Sequence, residues 1–442
     1  MGKRTGCGMV AGWIIGSLAR GAELPPVACD VVVVGGGSAG ICAAIQSARA
    51  GAKTVLIEAA HQVGGNTTTG GVNFPGLFHA WGRQVIAGAG WDVVTNAVAL
   101  DGGTLPDFTK PTGRRHYDHQ VLINIPLFVV LAEDALARAG VTLHYHAAPV
   151  RIEAVPAGWR VRTAATGDTR TITCKQLVDC TGNGTAAALA GFERLREKER
   201  QPGTFVYRIR PNADLSKFDA KELQARFEAA VKDGRLQRND CRWSLLHYLQ
   251  SGGNTANYVE GADNSTADAR TETNLRGRAA ALRMFRFLKD IPGLEKVRLE
   301  SLSPEVGVRE TYRVRGEYLI THEDYTSGKR WEDSVCYAFY PIDLHDKTSG
   351  VRPAHLKENV VATVPLRALI PQGSRNLLVA GRCLSSDRLA NSALRVQATC
   401  MATGQAAGAA AALAAQRGAS PAHVPIADLK ALLTAHGAIV PD

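Results

Sequence analysis

Residues 30–58 read DVVVVGGGSAGICAAIQSARAGAKTVLIE, and this stretch decides the fold. Asp30 to Val34 is a short run of valines of the kind a fully buried parallel strand carries. It runs into Gly35-Gly36-Gly37-Ser38-Ala39-Gly40, after which Ile41, Ala44, Ile45 and Ala48 recur at helical spacing. Lys53 to Ile57 is a second strand, closed by Glu58. A lone GxGxxG says little, but here strand, turn, helix, strand and acid stand in order. Gly35 permits the tight turn, and Gly37 lets backbone approach a pyrophosphate. Gly40 lets the helix close on the sheet, and the helix N-terminus at Ser38 and Ala39 faces the phosphates. Glu58 is placed to accept hydrogen bonds from a ribose diol. The segment reads as a dinucleotide site.

The residues after Glu58 favour FAD over NAD. Gly64-Gly65-Asn66-Thr67-Thr68-Thr69-Gly70-Gly71 replaces a second crossover helix with a loop rich in glycine and hydroxyl groups. Its free N–H groups and Thr hydroxyls suit a long pyrophosphate–ribityl chain, with Gly64, Gly65, Asn66 and Thr67 as contacts. The alternative is a plain surface loop. Asn66-Thr67-Thr68 also matches a glycosylation sequon, which we read as accidental in this setting.

Further out, Pro126 to Ala139 has helical periodicity and Val141 to Tyr145 reads as a third parallel strand. Val150–Val155, Trp159–Ala164 and Arg170–Thr173, split by Gly158 and Gly167-Asp168, predict a three-stranded meander. Gln176 to Cys180 predicts the fourth parallel strand, ending at Thr181-Gly182-Asn183-Gly184. A meander between third and fourth parallel strands resembles flavoenzymes of the glutathione-reductase-like fold. Arg375 to Ser385 reads as turn, buried strand and small-residue turn, and Ala393 to Gly408 as a helix of small residues. With Gly307-Val308-Arg309-Glu310-Thr311, Gly316-Glu317-Tyr318 and Tyr340 to His345, these motifs resemble the FAD-dependent oxidoreductase family over roughly residues 29–415. The resemblance is weakest between about 211 and 290.

That resemblance implies FAD, with Thr181 and Gly182 beside it and the strand ending at Gly381 and Arg382 passing near the ribityl chain. It places the N-terminus of the helix beginning near Arg395 and Val396 against the flavin N1/O2 edge, where positive charge stabilises the reduced ring. Arg395 is the side chain expected there; the alternative is an arginine paired with a structural carboxylate. Asn183 departs from the family pattern, which commonly has aspartate after Thr-Gly, so a flavin contact at this position is left open. Cys383 has two readings, a covalent flavin anchor or a thiol packed beneath the ring, and the second is simpler.

The fold class expected is α/β: a Rossmann-like FAD-binding domain with a parallel sheet and β-meander, plus an α+β substrate or cap domain. The boundaries expected are a lead at 1–27, the discontinuous FAD domain at 28–200 and 360–420, the cap at 201–359 and a tail at 421–442. Helices are predicted at Ala220–Val231 and Leu275–Leu288, with a loop-rich Asn239–Asn264 between them. Hydride chemistry needs an acid or base beside the flavin. Arg309 could hold a carboxylate, or form a buried structural pair with Glu310. His345, two positions after Asp343, could shuttle a proton, or the two could cap a turn before Asp346-Lys347. Together Arg309, His345 and Arg395 are the catalytic candidates, and no residue pattern suggests a metal.

Composition bounds the rest. The 442 residues carry 51 Lys+Arg against 41 Asp+Glu, a formal charge of +10, with 45% hydrophobic and 21% charged residues. This excludes a disordered chain and a multi-span membrane protein. The basic excess gathers in 194–210 and 270–315, without a nucleic-acid-binding motif, so an anionic small molecule is the expected partner and nucleic acid is not. Nine cysteines include no CxxC pair, which argues against zinc and a redox pair. Lys3-Arg4, the apolar Met9 to Leu18 and Ala19-Arg20-Gly21 resemble a secretory signal. Export and a cytoplasmic location both stay open, as do oligomeric state and the electron donor or acceptor. The expected activity is hydride transfer between FAD and a small, possibly anionic, organic substrate. Alternatives are fumarate-reductase-like reduction of an activated double bond, an RNA-associated flavoprotein, and a flavin carrier without turnover.

Overall fold

A computed structural model describes residues 22–111, 115–254, 257–345 and 354–442. The signal-like segment, and Asp346-Lys347, lie outside the described residues. A seven-stranded sheet forms the centre. Strand β1 (Ala22–Val34) pairs in parallel with β2 (Thr54–Ile57), which pairs with β3 (Thr142–His144). The meander follows as β4 (Ala148–Val155), β5 (Gly158–Ala164) and β6 (Asp168–Asp179), and β7 (Leu377–Val379) joins the far end of β6.

Two strand boundaries differ from expectation. The third meander strand and the fourth parallel strand are one continuous element, β6, because Thr173 to Gln176 contains no turn residue. Its first half is antiparallel to β5, its second half is parallel to β7, and β1 runs along its other side. Strand β1 starts at Ala22, well before Asp30, because β6 offers it a partner back to Asp168. The register slips between Leu24 and Val27, where Pro25-Pro26 cannot donate to a ladder.

Helix α1 (Ser38–Arg49) lies on the sheet, and the 21-residue helix α2 (Gln397–Arg417) lies against it. Small residues permit the close approach: a Cβ at Gly404 would sit 2.1 Å from the Ala39 carbonyl oxygen, and one at Gly408 2.3 Å from that of Ala43. A second core, formed by residues between Phe205 and Val308, fills the cap. It holds Tyr207 and Tyr248, whose hydroxyls meet at 2.8 Å, and the helices Ala220–Lys232, Leu245–Gln250 and Ala267–Lys289. Ile320, Tyr325 and Val335 to Ile342 join the main core instead. The strand Ser334–Ala338 is buried at every position, pairs with Ala362–Pro365 and packs on α2. The segment 201–359 therefore divides between two cores. Among the described residues no helix is long and apolar enough to cross a membrane.

Candidate active site

A cavity of about 930 Å³ opens at the C-terminal ends of β1, β2 and β6 and extends under the cap. Ligands bind at this edge of an open α/β sheet, because helix N-termini converge there. At one end Gly35 has φ +94°, and a Cβ on it would meet the Cys180 carbonyl oxygen at 2.8 Å. Gly40 supports the same turn from behind, where a Cβ would lie 1.8 Å from Gly35 O. Gly37 has no neighbour near its missing Cβ, and no side chain caps α1, so backbone N–H groups are left for an anion. The Glu58 carboxylate is fixed by the Gly36 and Ala60 N–H groups beside Ala147 to Pro149. Its remaining lone pairs suit a diol. A backbone cradle of this shape fits a dinucleotide.

The 64–67 loop is stitched to this turn by the Gly64 N–H donating to Gly36 O at 2.8 Å. Gly65 and Asn66 line the cavity; the Asn66 amide donates to Val308 O at 2.9 Å. Gly40, Gly64 and Thr67 stand behind the wall. Thr67 is buried, with its hydroxyl 3.0 Å from that of Ser38 and 2.6 Å from Gln397 Oε1, so it braces two helix N-termini. Of the other residues singled out in the sequence, Gly35, Gly37, Ser38, Ala39, Glu58, Thr181, Gly182, Gly381, Arg382, Val396, Arg309, His345 and Arg395 line the cavity.

Arg382 donates to Gly182 O at 2.9 Å, Asn183 Oδ1 at 2.8 Å and Val308 O, tying the end of β7 to the end of β6. Burial pulls its pKa down to about 10. Asn183 is occupied by the protein, receiving Arg382 and Thr311 and donating to Asn264 O. Cys383 is fully buried outside the cavity wall, its thiol directed at the Asp179 and Ala380 carbonyls, so it has no path to a covalent bond with a ligand there. Cys400 and Cys180 line the cavity instead.

At the other end, four segments distant in sequence converge. Arg395, between the short helix Arg388–Leu394 and α2, donates to Asp343 O at 3.1 Å and lies 3.5 Å from Asp343 Oδ2. Asp343 Oδ2 is 3.0 Å from His345 Nε2, and His345 Nδ1 is 2.9 Å from the Tyr258 hydroxyl. Arg309 does not pair with Glu310: its guanidinium donates to Pro202 O and lies 5.0 Å from the Tyr258 ring centre. Glu310 is held by Arg388 and Gln201. The buried Gln201 carbonyl in turn accepts from the His345 backbone at 3.1 Å and from Arg395 at 3.3 Å.

These contacts set the charges. Burial raises the Asp343 pKa, but the hydrogen bond to His345 and the Arg395 and Arg309 charges outweigh it and bring it to about 2. Burial and the Arg309 charge lower His345 to about 4, against the pull of Asp343. His345 is thus neutral at neutral pH, and its hydrogen bond, followed by the two guanidinium charges, keeps Asp343 ionised there. Two arginines share one carboxylate, leaving a surplus positive charge and, in Arg309, a guanidinium with no ion-pair partner among the described residues. The sequence reading missed Tyr258, Gln201, Gln397 and the 147–149 edge. Only Tyr258 carried any signal, as an aromatic in the loop between the cap helices.

An acid-stability prediction follows. The folded-state pKa of His345 is below its unfolded value of about 6.5, so its contribution is complete above about pH 6.5 and is lost as pH falls to about 4. The size is on the order of 3 kcal/mol. In urea unfolding, H345Q is expected to flatten the stability decline over that window by this amount. An equally steep decline in the variant would contradict the assignment.

The sequence model of the family described as FAD dependent oxidoreductase matches residues 30–433. No curated protein matches the chain in sequence. Among solved structures it is similar to a geranylgeranyl bacteriochlorophyll reductase-like protein from Thermoplasma acidophilum, at 13% identity and TM-score 0.42, over 93% of this chain and 84% of that one. It is also similar to a myxobacterial chondrochloren halogenase, described as FAD-dependent, at 11% identity and TM-score 0.43, over 93% and 79%. A third is the anhydrotetracycline hydroxylase from Streptomyces rimosus, at 14% identity and TM-score 0.41, over 87% and 62%.

Proposed function

The chain belongs to the FAD dependent oxidoreductase family, and on that premise we propose that it transfers a hydride between FAD and a small organic anion. The observation that carries the substrate's charge is Arg309, without an ion-pair partner among the described residues, beside an Arg395 that shares Asp343 with His345. A half-buried guanidinium without a carboxylate partner is poorly compensated, and a bound carboxylate supplies that partner through two parallel hydrogen bonds. Part of the basic excess elsewhere is neutralised within the protein. In 270–315, Arg270, Arg276, Arg283, Arg313 and Arg315 are each taken up by a carboxylate.

In this reading the Gly35–Ala39 turn and α1 hold the pyrophosphate, and Glu58 holds the ribose. Gly65, Asn66, Thr181, Gly182 and Gly381 line the middle, and the start of α2 faces the ring. FAD, when bound, supplies the two-electron exchange. Arg309 and Arg395 orient the substrate carboxylate, the cap excludes water, and the Asp343–His345 pair receives or returns the proton. An anaerobic screen of hydroxy, amino and unsaturated acids, followed by loss of the flavin's visible absorption, tests the reading. At least one short carboxylate is expected to bleach the flavin; reaction with neutral substrates alone would overturn it.

Arg395 also bears on the cofactor. Removing a positive charge near the reduced ring destabilises the reduced form, so R395M is expected to lower the flavin potential by about 30 mV, the equivalent of a tenfold change in a two-electron equilibrium. A dye-coupled titration with an unchanged midpoint would remove Arg395 from the flavin edge.

A further inference from the structure

We propose that the Tyr258 hydroxyl, and not His345, exchanges the proton with the substrate, and that this substrate is a short hydroxy-carboxylate or its oxo counterpart. The proposal rests on the hydride-transfer reading of the same cavity.

An ionised carboxylate only accepts, so His345 Nε2, 3.0 Å from Asp343 Oδ2, must carry the ring's hydrogen. A neutral imidazole has one N–H, so Nδ1 bears the lone pair. The group 2.9 Å from Nδ1 is the Tyr258 hydroxyl, which is therefore the donor. Both nitrogens of His345 are then committed, and the ring has no position left for a substrate. Its backbone is fixed as well, by Gln201 Oε1. Tyr258 lines the cavity and has spent only its hydrogen, and its oxygen lone pairs remain to accept another. The plane of its ring is set by Arg309 and Arg242, at 5.0 and 5.2 Å from its centre.

The substrate class follows from what stands next to that hydroxyl. Arg309, which has no ion pair among the described residues, lies against the Tyr258 ring itself, so the carboxylate grip and the proton acceptor are neighbours. A molecule that satisfies both carries a carboxylate and, close to it, an oxidisable C–OH. In the oxidative direction the substrate C–H bond breaks and its electron pair leaves with the hydrogen as hydride, to FAD. The substrate O–H proton passes to the Tyr258 oxygen while the Tyr258 proton passes to His345 Nδ1, and C–O becomes C=O. The products are the oxo-carboxylate, reduced FAD and one proton, carried as imidazolium against Asp343 until water removes it. Reduction runs the same steps backwards.

The test uses the holoenzyme, with ring-¹⁵N-labelled histidine and H345Q to identify the His345 signals. The expected spectrum at neutral pH is the Nε2–H tautomer, with an Nδ1 resonance that moves in Y258F. Glycolate, lactate and 3-hydroxybutyrate serve as reductants in anaerobic mixing, and pyruvate as the calorimetric probe of carboxylate binding. Y258F is expected to bind pyruvate within about twofold of wild type and to slow flavin reduction by about 10²–10⁴-fold, the usual worth of a positioned acid or base. An Nδ1–H tautomer, or Y258F reducing flavin at the wild-type rate, overturns the role of Tyr258 and leaves the anion reading standing. If wild type neither reacts with any of the three acids nor binds pyruvate, the anion reading falls and this proposal falls with it.

Discussion

Replacing Gly40 with valine is expected to yield protein that does not retain FAD and that unfolds at lower denaturant than wild type. A Cβ at this position would lie 1.8 Å from the Gly35 carbonyl oxygen and 3.3 Å from the Cys180 side chain. The first of these is backbone, so α1 must move away from β1 to make room. That movement opens the turn whose N–H groups we propose to hold the FAD phosphates. Overpacking commonly costs about 1–3 kcal/mol, and a backbone obstruction of this depth belongs at or above the upper end. Domains are stable by only about 5–15 kcal/mol, so a large fraction of the margin goes. The flavin content of purified protein and a urea midpoint measure the two effects. Gly404→Val tests the other side of α1, since its Cβ would lie 2.1 Å from Ala39 O. Full FAD content with an unchanged midpoint in both variants would contradict the packing described for α1.

Arg309→Met is expected to weaken carboxylate binding by about 30- to 4,000-fold, the range for losing one member of a buried hydrogen-bonded charge pair. Stability is expected to move the other way or not at all. In the protein without substrate Arg309 has a single carbonyl partner, Pro202 O, and no ion pair among the described residues. Burial already depresses its pKa, a sign that the charge is poorly solvated. Methionine keeps much of the side-chain volume and removes that charge, and replacing a buried charge by an apolar group is often neutral or stabilising. Calorimetric titration with a short carboxylate and a thermal midpoint check both halves. A variant that is destabilised yet binds carboxylate normally would make Arg309 a structural residue, the alternative its neighbour Glu310 first suggested.

Glu310 shows where reading along the chain goes astray. Adjacent in sequence to Arg309, it is drawn instead to Arg388 and Gln201, because neighbouring side chains on extended backbone point to opposite faces. Cys383 is similar. Its place after Gly381-Arg382 suggested nearness to a ring, whereas its side chain packs behind the sheet in a core with Val379 and Leu377. The single strand β6 was divided in two by pattern alone, since nothing in Cys174-Lys175 announces that one strand changes partners midway from an antiparallel to a parallel neighbour.

What the sequence determined by itself is the glycine-turn end of the cavity. The run Val31 to Val34, the turn Gly35 to Gly40, the helix after it and Glu58 lie within 29 consecutive residues, and backbone geometry with side-chain period is enough to fold them one way. The other end, around Arg309 and His345, was decided only by the tertiary structure. Tyr258 and Arg309 adjoin residues of the second core, Val259 and Val308, while Asp343 and Arg395 adjoin residues of the main core, Ile342 and Leu394, and they meet because the two cores dock over the strand ends. No local period encodes that docking. The hydrogen-bonded row of Tyr258, His345 and Asp343 forms only once the chain has folded, because Tyr258 stands on a segment far in sequence from the other two.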